Sequence, residues 1–358
     1  MKPMERYRGQ PLPPAPRIAL VVNDALGNFA IATPLARAMK RLHPECTLDY
    51  YGGTRTAELE AASVGSGRLY DWRCDALGAS PAAVLDAARQ RMERNGAYHL
   101  VLNLEASEFH RVLAAVLGEE GFVCGPCLTP DGRGLWEYPD DERGDLWRDR
   151  NWASNDLAER YSFLETGFIA EVFLRLAYVP PLPGAEWPGG VPKYLLPAAE
   201  PPVSTPPVLI STGATLPEKT WPVERWAELL RDLPQPCGLL GAPPKRQERF
   251  YHSAGSEERL VSEGLVQDLR GRLTLPEVVG AISKADLIVT VDNGILHFAA
   301  AFDRPTVGLY RREVVRLWAP PNPNLVALSS EMGVAEIPTA EVRAAVADLL
   351  PSVRQAAD

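Results

Sequence analysis

Residues 286–310 read DLIVTVDNGILHFAAAFDRPTVGLY. Two apolar runs, residues 287–291 and 306–309, have the length and composition of buried parallel strands. Between them lie Asp292-Asn293-Gly294 and a helix-like segment that carries His297. Strand, polar turn and helix start, in that order, predict an anion cradle. The first N–H groups of a helix have no partner within it, and its dipole is positive at that end. Gly294 lets a ligand come close to the backbone. The stretch therefore predicts an α/β fold and a phosphorylated ligand at this turn.

The same alternation runs outward on both sides. Residues 17–23 (RIALVVN) predict a strand, followed by a turn containing Gly27 and a helical pattern over 33–43. Residues 47–51 and 99–104 predict further strands, with a helix over 82–95 between them. After residue 207 the rhythm restarts. Strands are expected at 208–211 and 238–240, and helices at 223–231, from about 245, and at 276–283. Strands alternating with helices imply parallel sheets with right-handed crossovers.

Two segments break the pattern. Residues 131–160 are rich in Trp, Arg and Asp and read as a long insertion or lid rather than core. A helical pattern over 157–176 follows. Residues 180–207 hold ten prolines and the pair Gly189-Gly190, which favours extended connection. The expected organisation is a first α/β domain over 1–190, a proline-rich linker over 191–207 and a second α/β domain over 208–358, with ligands at the carboxyl ends of the strands.

A chain of 358 residues suits two cores, and its 46% hydrophobic share is that of a globular protein. The net charge of −9 argues against a nucleic-acid binder, and leaves a local basic patch as the route to an anionic membrane surface. No apolar run approaches bilayer length, and the start MKPMERYRGQPLPPAPR has no apolar signal core. The expectation is a cytoplasmic protein, at most peripheral to the inner membrane. Five cysteines make no disulfide framework. Cys124-Gly125-Pro126-Cys127 has the spacing of a redox pair, but the preferred reading is two small half-buried residues at a turn made by Gly-Pro. A zinc site needs a second ligand pair, and no other CxxC exists.

Several blocks in order resemble one family. They are Leu26-Gly27-Asn28 ahead of Thr33-Pro34-Leu35; Ser211-Thr212-Gly213-Ala214 leading into Glu218-Lys219-Thr220-Trp221-Pro222 and Trp226; Gly241-Ala242-Pro243; Asp268-Leu269-Arg270-Gly271 with Leu273-Thr274-Leu275; and Asp292-Asn293-Gly294 with His297. Together they resemble the ADP-heptose:lipopolysaccharide heptosyltransferases, glycosyltransferase family 9, more strongly in the second half. The resemblance implies a GT-B fold, two Rossmann-like domains with parallel sheets facing a cleft. It implies an acceptor on the N-terminal side, a nucleotide-sugar on the C-terminal side, and inverting, metal-independent transfer. The sequence carries no Asp-x-Asp diphosphate motif. No cofactor is expected beyond the co-substrate, which by resemblance is ADP-heptose, with a glycan or lipid-linked acceptor.

Within that frame Lys219 is expected to offset the charge that develops on a leaving diphosphate. Asp292, Asn293, Gly294 and His297 match the donor-phosphate turn. Asp292 is placed to orient Lys219 or to bind the sugar, and His297 either reaches the ligand or is a satisfied histidine against the sheet. Thr212 and Thr215 are either phosphate contacts or turn caps. Gly241 and Glu248 fall where the family holds the nucleoside. On the acceptor side Gly27 belongs to the first turn, and Trp136, Trp147 and Arg148 offer a ring face and a cation. The alternative for Arg143, Arg148 and Arg150 is pairing with the neighbouring aspartates.

One position departs from the family. Asn28 stands where the resemblance implies an aspartate acting as general base, and an amide has no useful basicity. Asp24, at the end of the same predicted strand, can replace it; the leaving phosphate can take the proton, with Asn28 only positioning; or the chain is a nucleotide-sugar-binding pseudoenzyme. A GT-B nucleotide-sugar epimerase and a thiol function at Cys124 and Cys127 complete the alternatives.

Overall fold

Each half of the chain builds one six-stranded sheet in which every neighbouring pair of strands is parallel. The structure, a computed structural model, describes residues 4–76, 78–244 and 254–350. The chain divides into two units, Met1–Leu195 and Leu196–Asp358. In unit 1 the strands are β1 (Glu5–Arg6), β2 (Arg17–Val21), β3 (Thr47–Tyr51), β4 (Trp72–Arg73), β5 (Leu100–Asn103) and β6 (Phe122–Cys124), in spatial order β1-β6-β5-β2-β3-β4. A small antiparallel hairpin adds β7 (Cys127–Leu128) and β8 (Leu135–Trp136). In unit 2 they are β9 (Val208–Ser211), β10 (Cys237–Leu239), β11 (Gln267–Asp268), β12 (Leu287–Val291), β13 (Thr306–Arg311) and β14 (Leu325–Ser330), in order β11-β10-β9-β12-β13-β14. The central strands read as unbroken apolar runs because helices cover both faces of a parallel sheet. Accordingly β9 and β12 are buried at every residue.

The helices of unit 1 are α1 (Leu26–Leu42), α2 (Ala57–Ala62), α3 (Pro81–Asn95), α4 (Glu108–Leu117), α5 (Glu142–Arg148), α6 (Leu157–Arg160) and α7 (Ile169–Leu176). Three differ from the sequence reading. First, α1 starts at Leu26, so Gly27 and Asn28 lie in its first turn rather than in the preceding loop. Pro34 sits inside this helix and leaves the Ala30 carbonyl without its usual amide. The Thr33 hydroxyl donates to that carbonyl at 2.7 Å, so the break expected from proline does not occur.

Second, the pattern over 157–176 is two helices rather than one. The buried Glu171 carboxylate accepts the N–H groups of Glu165, Thr166 and Gly167, and Gly167 has a φ of 66°. These bonds hold a non-helical loop ahead of α7. Arg175, 1% exposed, donates to the carbonyls of Phe163, Val179 and Gly189 and ties the loop to the proline-rich segment. Third, the Trp-rich segment is packed rather than lid-like. Leu146 of α5 is fully buried, and Trp147 lies between Tyr138 and Trp152, with ring centroids 5.1 and 6.1 Å away.

Candidate functional site

Both sheets reverse their winding direction once. In unit 1 the chain leaves β2 toward β3 and β4, then returns to the other side of β2 for β5 and β6. In unit 2 it leaves β9 toward β10 and β11, then returns to the other side for β12, β13 and β14. Ligands of open parallel sheets bind outside the carboxyl ends of the strands at such reversals. The loops after β2 and β5, and those after β9 and β12, are therefore where chemistry is expected.

At the reversal of unit 2, Lys219, Asp292 and His297 come together. Trp221 and Pro222 set the position of Lys219. The Trp221 indole is buried, stacks edge-on against Trp226 at 4.9 Å, and donates to the Ile337 carbonyl at 2.9 Å. The short 3-10 turn Pro217–Lys219 sits just ahead of that anchor. It places the Lys219 Nζ 2.7 Å from Asp292 Oδ2, in an ionic contact without directional hydrogen-bond geometry. Asp292 follows β12 directly and is 6% exposed. His297, on the helix Gly294–Ala301, is buried. Burial lowers its pKa to about 4 against the opposing pull of Asp292, so the ring is neutral at physiological pH. A half-exposed ammonium, a buried carboxylate and a neutral imidazole beside a helix start can hold a diphosphate and respond to added charge.

Asn293 holds this arrangement in place. Its side-chain oxygen caps the helix by accepting from the Ile295 N–H at 2.9 Å. Its amide donates to the Ser211 hydroxyl and the Gly213 carbonyl at 3.1 and 2.9 Å, joining the loops after β9 and β12. Gly294 is the first residue of the helix. Thr212 is 3% exposed and its hydroxyl donates to the Glu257 carboxylate, so this group is spent inside the fold, next to a negative charge. Thr215 is exposed in the loop. Gly241 is exposed, and its carbonyl accepts the N–H of Gly271, which has a φ of 66°. Glu248 and the start of the expected helix near residue 245 lie outside the described residues.

The reversal of unit 1 is built on carboxylates, Asp24 and Glu105, with Arg55 beside them. Asp24 Oδ1 accepts from Arg55 at 2.7 Å. Gly53 makes room for Asp24, because a Cβ there would lie 2.1 Å from the Asp24 Cβ. Asn28 lies in the first turn of α1, half-buried. The sequence reading missed Glu105, two residues past β5. Glu105 Oε1 accepts the Asn23 N–H at 3.1 Å, which ties the loop after β5 to the loop after β2. Burial raises its pKa, and Asp24 adds to the shift against the Asn23 hydrogen bonds. The signal in sequence was position alone: a carboxylate immediately past an apolar strand run.

Acceptor-side candidates from the Trp-rich segment have partners within unit 1. Trp136 faces the Arg6 guanidinium at 5.7 Å, Trp147 donates its indole N–H to Glu137 at 2.9 Å, and Arg148 pairs with Asp145 and Asp140 at 2.9 and 3.4 Å. Cys124 and Cys127 are buried free thiols. Burial pushes the Cys124 pKa up to about 12 and raises that of Cys127, which removes the thiolate a redox pair needs. Among the described residues no group of three or more His, Cys, Asp or Glu side chains could hold a metal ion, and no helix is long and apolar enough to cross a membrane.

Comparison with known proteins fits this picture. The family model of glycosyltransferase family 9 (heptosyltransferase) matches residues 192–341. Lipopolysaccharide heptosyltransferase 1 of Salmonella typhimurium is 32% identical over 111 residues, 30% of this chain and 33% of that protein. The matched stretch thus spans about a third of that relative's length. Two solved structures share the fold at low identity. A family 9 glycosyltransferase from Veillonella parvula has a TM-score of 0.69 at 15% identity, covering 94% of this chain and 97% of that one. ADP-heptose lipopolysaccharide heptosyltransferase II of E. coli has a TM-score of 0.66 at 18% identity, covering 94% and 99%. Sheet topology and these matches lead to one conclusion: the chain has the GT-B fold, and its residues 192–341 are similar to glycosyltransferase family 9 (heptosyltransferase).

Proposed function

We propose that this protein transfers a sugar from a nucleotide diphosphate to a hydroxyl of a glycan or lipid-linked acceptor, with inversion at the anomeric carbon and without a metal ion. The donor is ADP-heptose, by analogy with the E. coli ADP-heptose lipopolysaccharide heptosyltransferase II of similar fold. The observation that carries the reading is the ion pair of Lys219 and Asp292 beside His297, at the reversal of the unit 2 sheet. As the glycosidic bond breaks, negative charge builds on the diphosphate, and the Lys219 ammonium lowers the energy of that state. Asp292 holds the ammonium in place before the donor arrives, and the neutral His297 adds hydrogen-bonding capacity without a second charge. Asn293 and Gly294 keep the helix start close to the phosphates. Unit 1 supplies the acceptor side, with Asp24, Gly27 and Asn28 at its own reversal and Trp136, Trp147 and Arg148 as outlying acceptor contacts.

Asn28 does not leave that region without carboxylates, since Asp24 and Glu105 flank the same turn. The active transferase is therefore preferred to a pseudoenzyme. We place the protein in the cytoplasm, where a nucleotide-sugar is available, with a lipid-linked acceptor bringing it to the membrane surface. The test is ADP release from ADP-heptose by wild type and Lys219→Ala. Release by the wild type and a loss of about 100-fold or more in the variant support the proposal. Equal rates, or no release by either protein with any acceptor glycan, would sink it.

A further inference from the structure

We propose that Glu105 is the group that takes the proton from the acceptor hydroxyl, and that Asp24 acts beside it by holding Arg55. The inference deepens the transferase reading and rests on it. In the step, the acceptor oxygen forms its bond to the anomeric carbon as the bond from that carbon to the diphosphate breaks. The bonding pair leaves with the diphosphate, and the hydroxyl proton passes to the Glu105 carboxylate and then to solvent.

Three observations carry the assignment. The first is place. Glu105 follows β5 and Asp24 follows β2, the two strands that flank the reversal of the unit 1 sheet. Asp292 holds the corresponding place after β12 in unit 2. The second is rigidity. Asn103, 1% exposed, accepts the Glu105 N–H at 3.0 Å and donates to the Glu105 and Pro126 carbonyls at 2.9 and 2.6 Å. Its buried amide fixes the backbone of the residue two positions on. The Asn23 side chain accepts from Ala25 at 2.8 Å, so the facing turn is fixed as well. The third is availability. Asp24 is committed to Arg55, an ion pair that an arriving proton would have to displace. Among the described residues no lysine or arginine pairs with Glu105.

Burial raises the Glu105 pKa, the Asn23 hydrogen bonds lower it and Asp24 from the β2–α1 turn raises it, while Glu105 and Asp24 act in turn on Tyr50 of β3, and Asp24 on His110 of α4. Burial keeps the Tyr50 hydroxyl protonated. A half-buried carboxylate beside a second carboxylate holds a proton more readily than one in water, which is what a general base near neutral pH requires.

The test compares ADP release from ADP-heptose by wild type, Glu105→Gln and Asp24→Asn from about pH 5 to about pH 9, with calorimetric binding of ADP-heptose alongside. Glu105→Gln is expected to bind the donor as the wild type does, to lose about 100-fold or more in turnover, and to lose the fall in rate toward low pH. Asp24→Asn is expected to keep that fall. Turnover of Glu105→Gln within about threefold of wild type, or an unchanged acid limb, overturns the assignment. Absence of donor binding in the wild type would instead overturn the transferase reading, and calorimetry alone reveals it. A carboxyl-carbon NMR titration of the free protein needs no substrate, with the Glu105 signal identified by its loss in Glu105→Gln. Titration above the ordinary glutamate range supports the assignment, and titration within or below that range contradicts it.

Discussion

The two sheet reversals of this molecule share a topology and differ in charge. The one between β9 and β12 is organised around a cation, Lys219, held by a buried aspartate and joined by a histidine that burial keeps neutral. The one between β2 and β5 is organised around carboxylates, Asp24 and Glu105, with Arg55 as counter-charge. The topology says only where a ligand sits, and the loop residues say what kind. An ammonium poised on a buried carboxylate suits an anionic diphosphate. A carboxylate reversal suits a hydroxyl that must lose a proton.

The sharpest way to break this comparison is to remove the cation. Lys219→Ala should cost about 100- to 1,000-fold in turnover while the fold is retained, measured by ADP release and by circular dichroism. Asn293→Ala should cost about 1–2 kcal/mol of stability in urea unfolding and weaken ADP binding as well, because the residue both caps its helix and joins the two loops. A stability loss with unchanged ADP affinity would separate the scaffold from the site. Thr212→Val should cost a similar amount of stability and leave ADP affinity within about twofold, because its hydroxyl serves Glu257 inside the fold.

His297 gives a prediction in pH. Its folded pKa of about 4 lies below the ordinary 6.5, so between those values the unfolded chain binds more protons. The stability due to neutral His297 is present above pH 6.5 and is lost as pH falls toward 4. His297→Gln should flatten that part of the stability–pH curve in thermal melts across the window. The smallest effect is expected at the CxxC segment. Cys124→Ser with Cys127→Ser should leave turnover within about threefold, with a modest drop in melting temperature from two buried sites.

The legibility of the chain follows the same division. The central strands of unit 2, β9, β10, β12 and β13, were plain in sequence because each is a short apolar run in the buried middle of the sheet, whereas the edge strands β11 and β14 were not read, being short or only partly buried. The turn Asp292-Asn293-Gly294 was plain because its residue types match the strand–turn–helix backbone. Lys219 could be picked out because the block that carries it, Glu218 to Pro222, resembles that of glycosyltransferase family 9. Unit 1 was harder. Glu105 looked like any polar residue after a strand, and its importance comes from a strand order that local sequence does not encode. The start of α1 was placed late because Gly27 was read as part of a turn, and within the longer helix the Thr33 hydroxyl supplies the bond that Pro34 cannot. The break ahead of α7 was hidden because apolar periodicity continues through it, while its cause, the Glu171 carboxylate capping three amides, is a tertiary contact. Thr212 was left open between phosphate contact and turn cap, because nothing local announces Glu257, 45 residues on.

The central claim is that unit 2 holds a nucleotide diphosphate on Lys219. Isothermal calorimetry of ADP against wild type and Lys219→Ala tests it most directly. The account predicts saturable ADP binding by the wild type and an affinity lower by about tenfold or more in the variant, the loss of one charge-assisted contact. Equal affinity in the two proteins, or no ADP binding by the wild type, would contradict it.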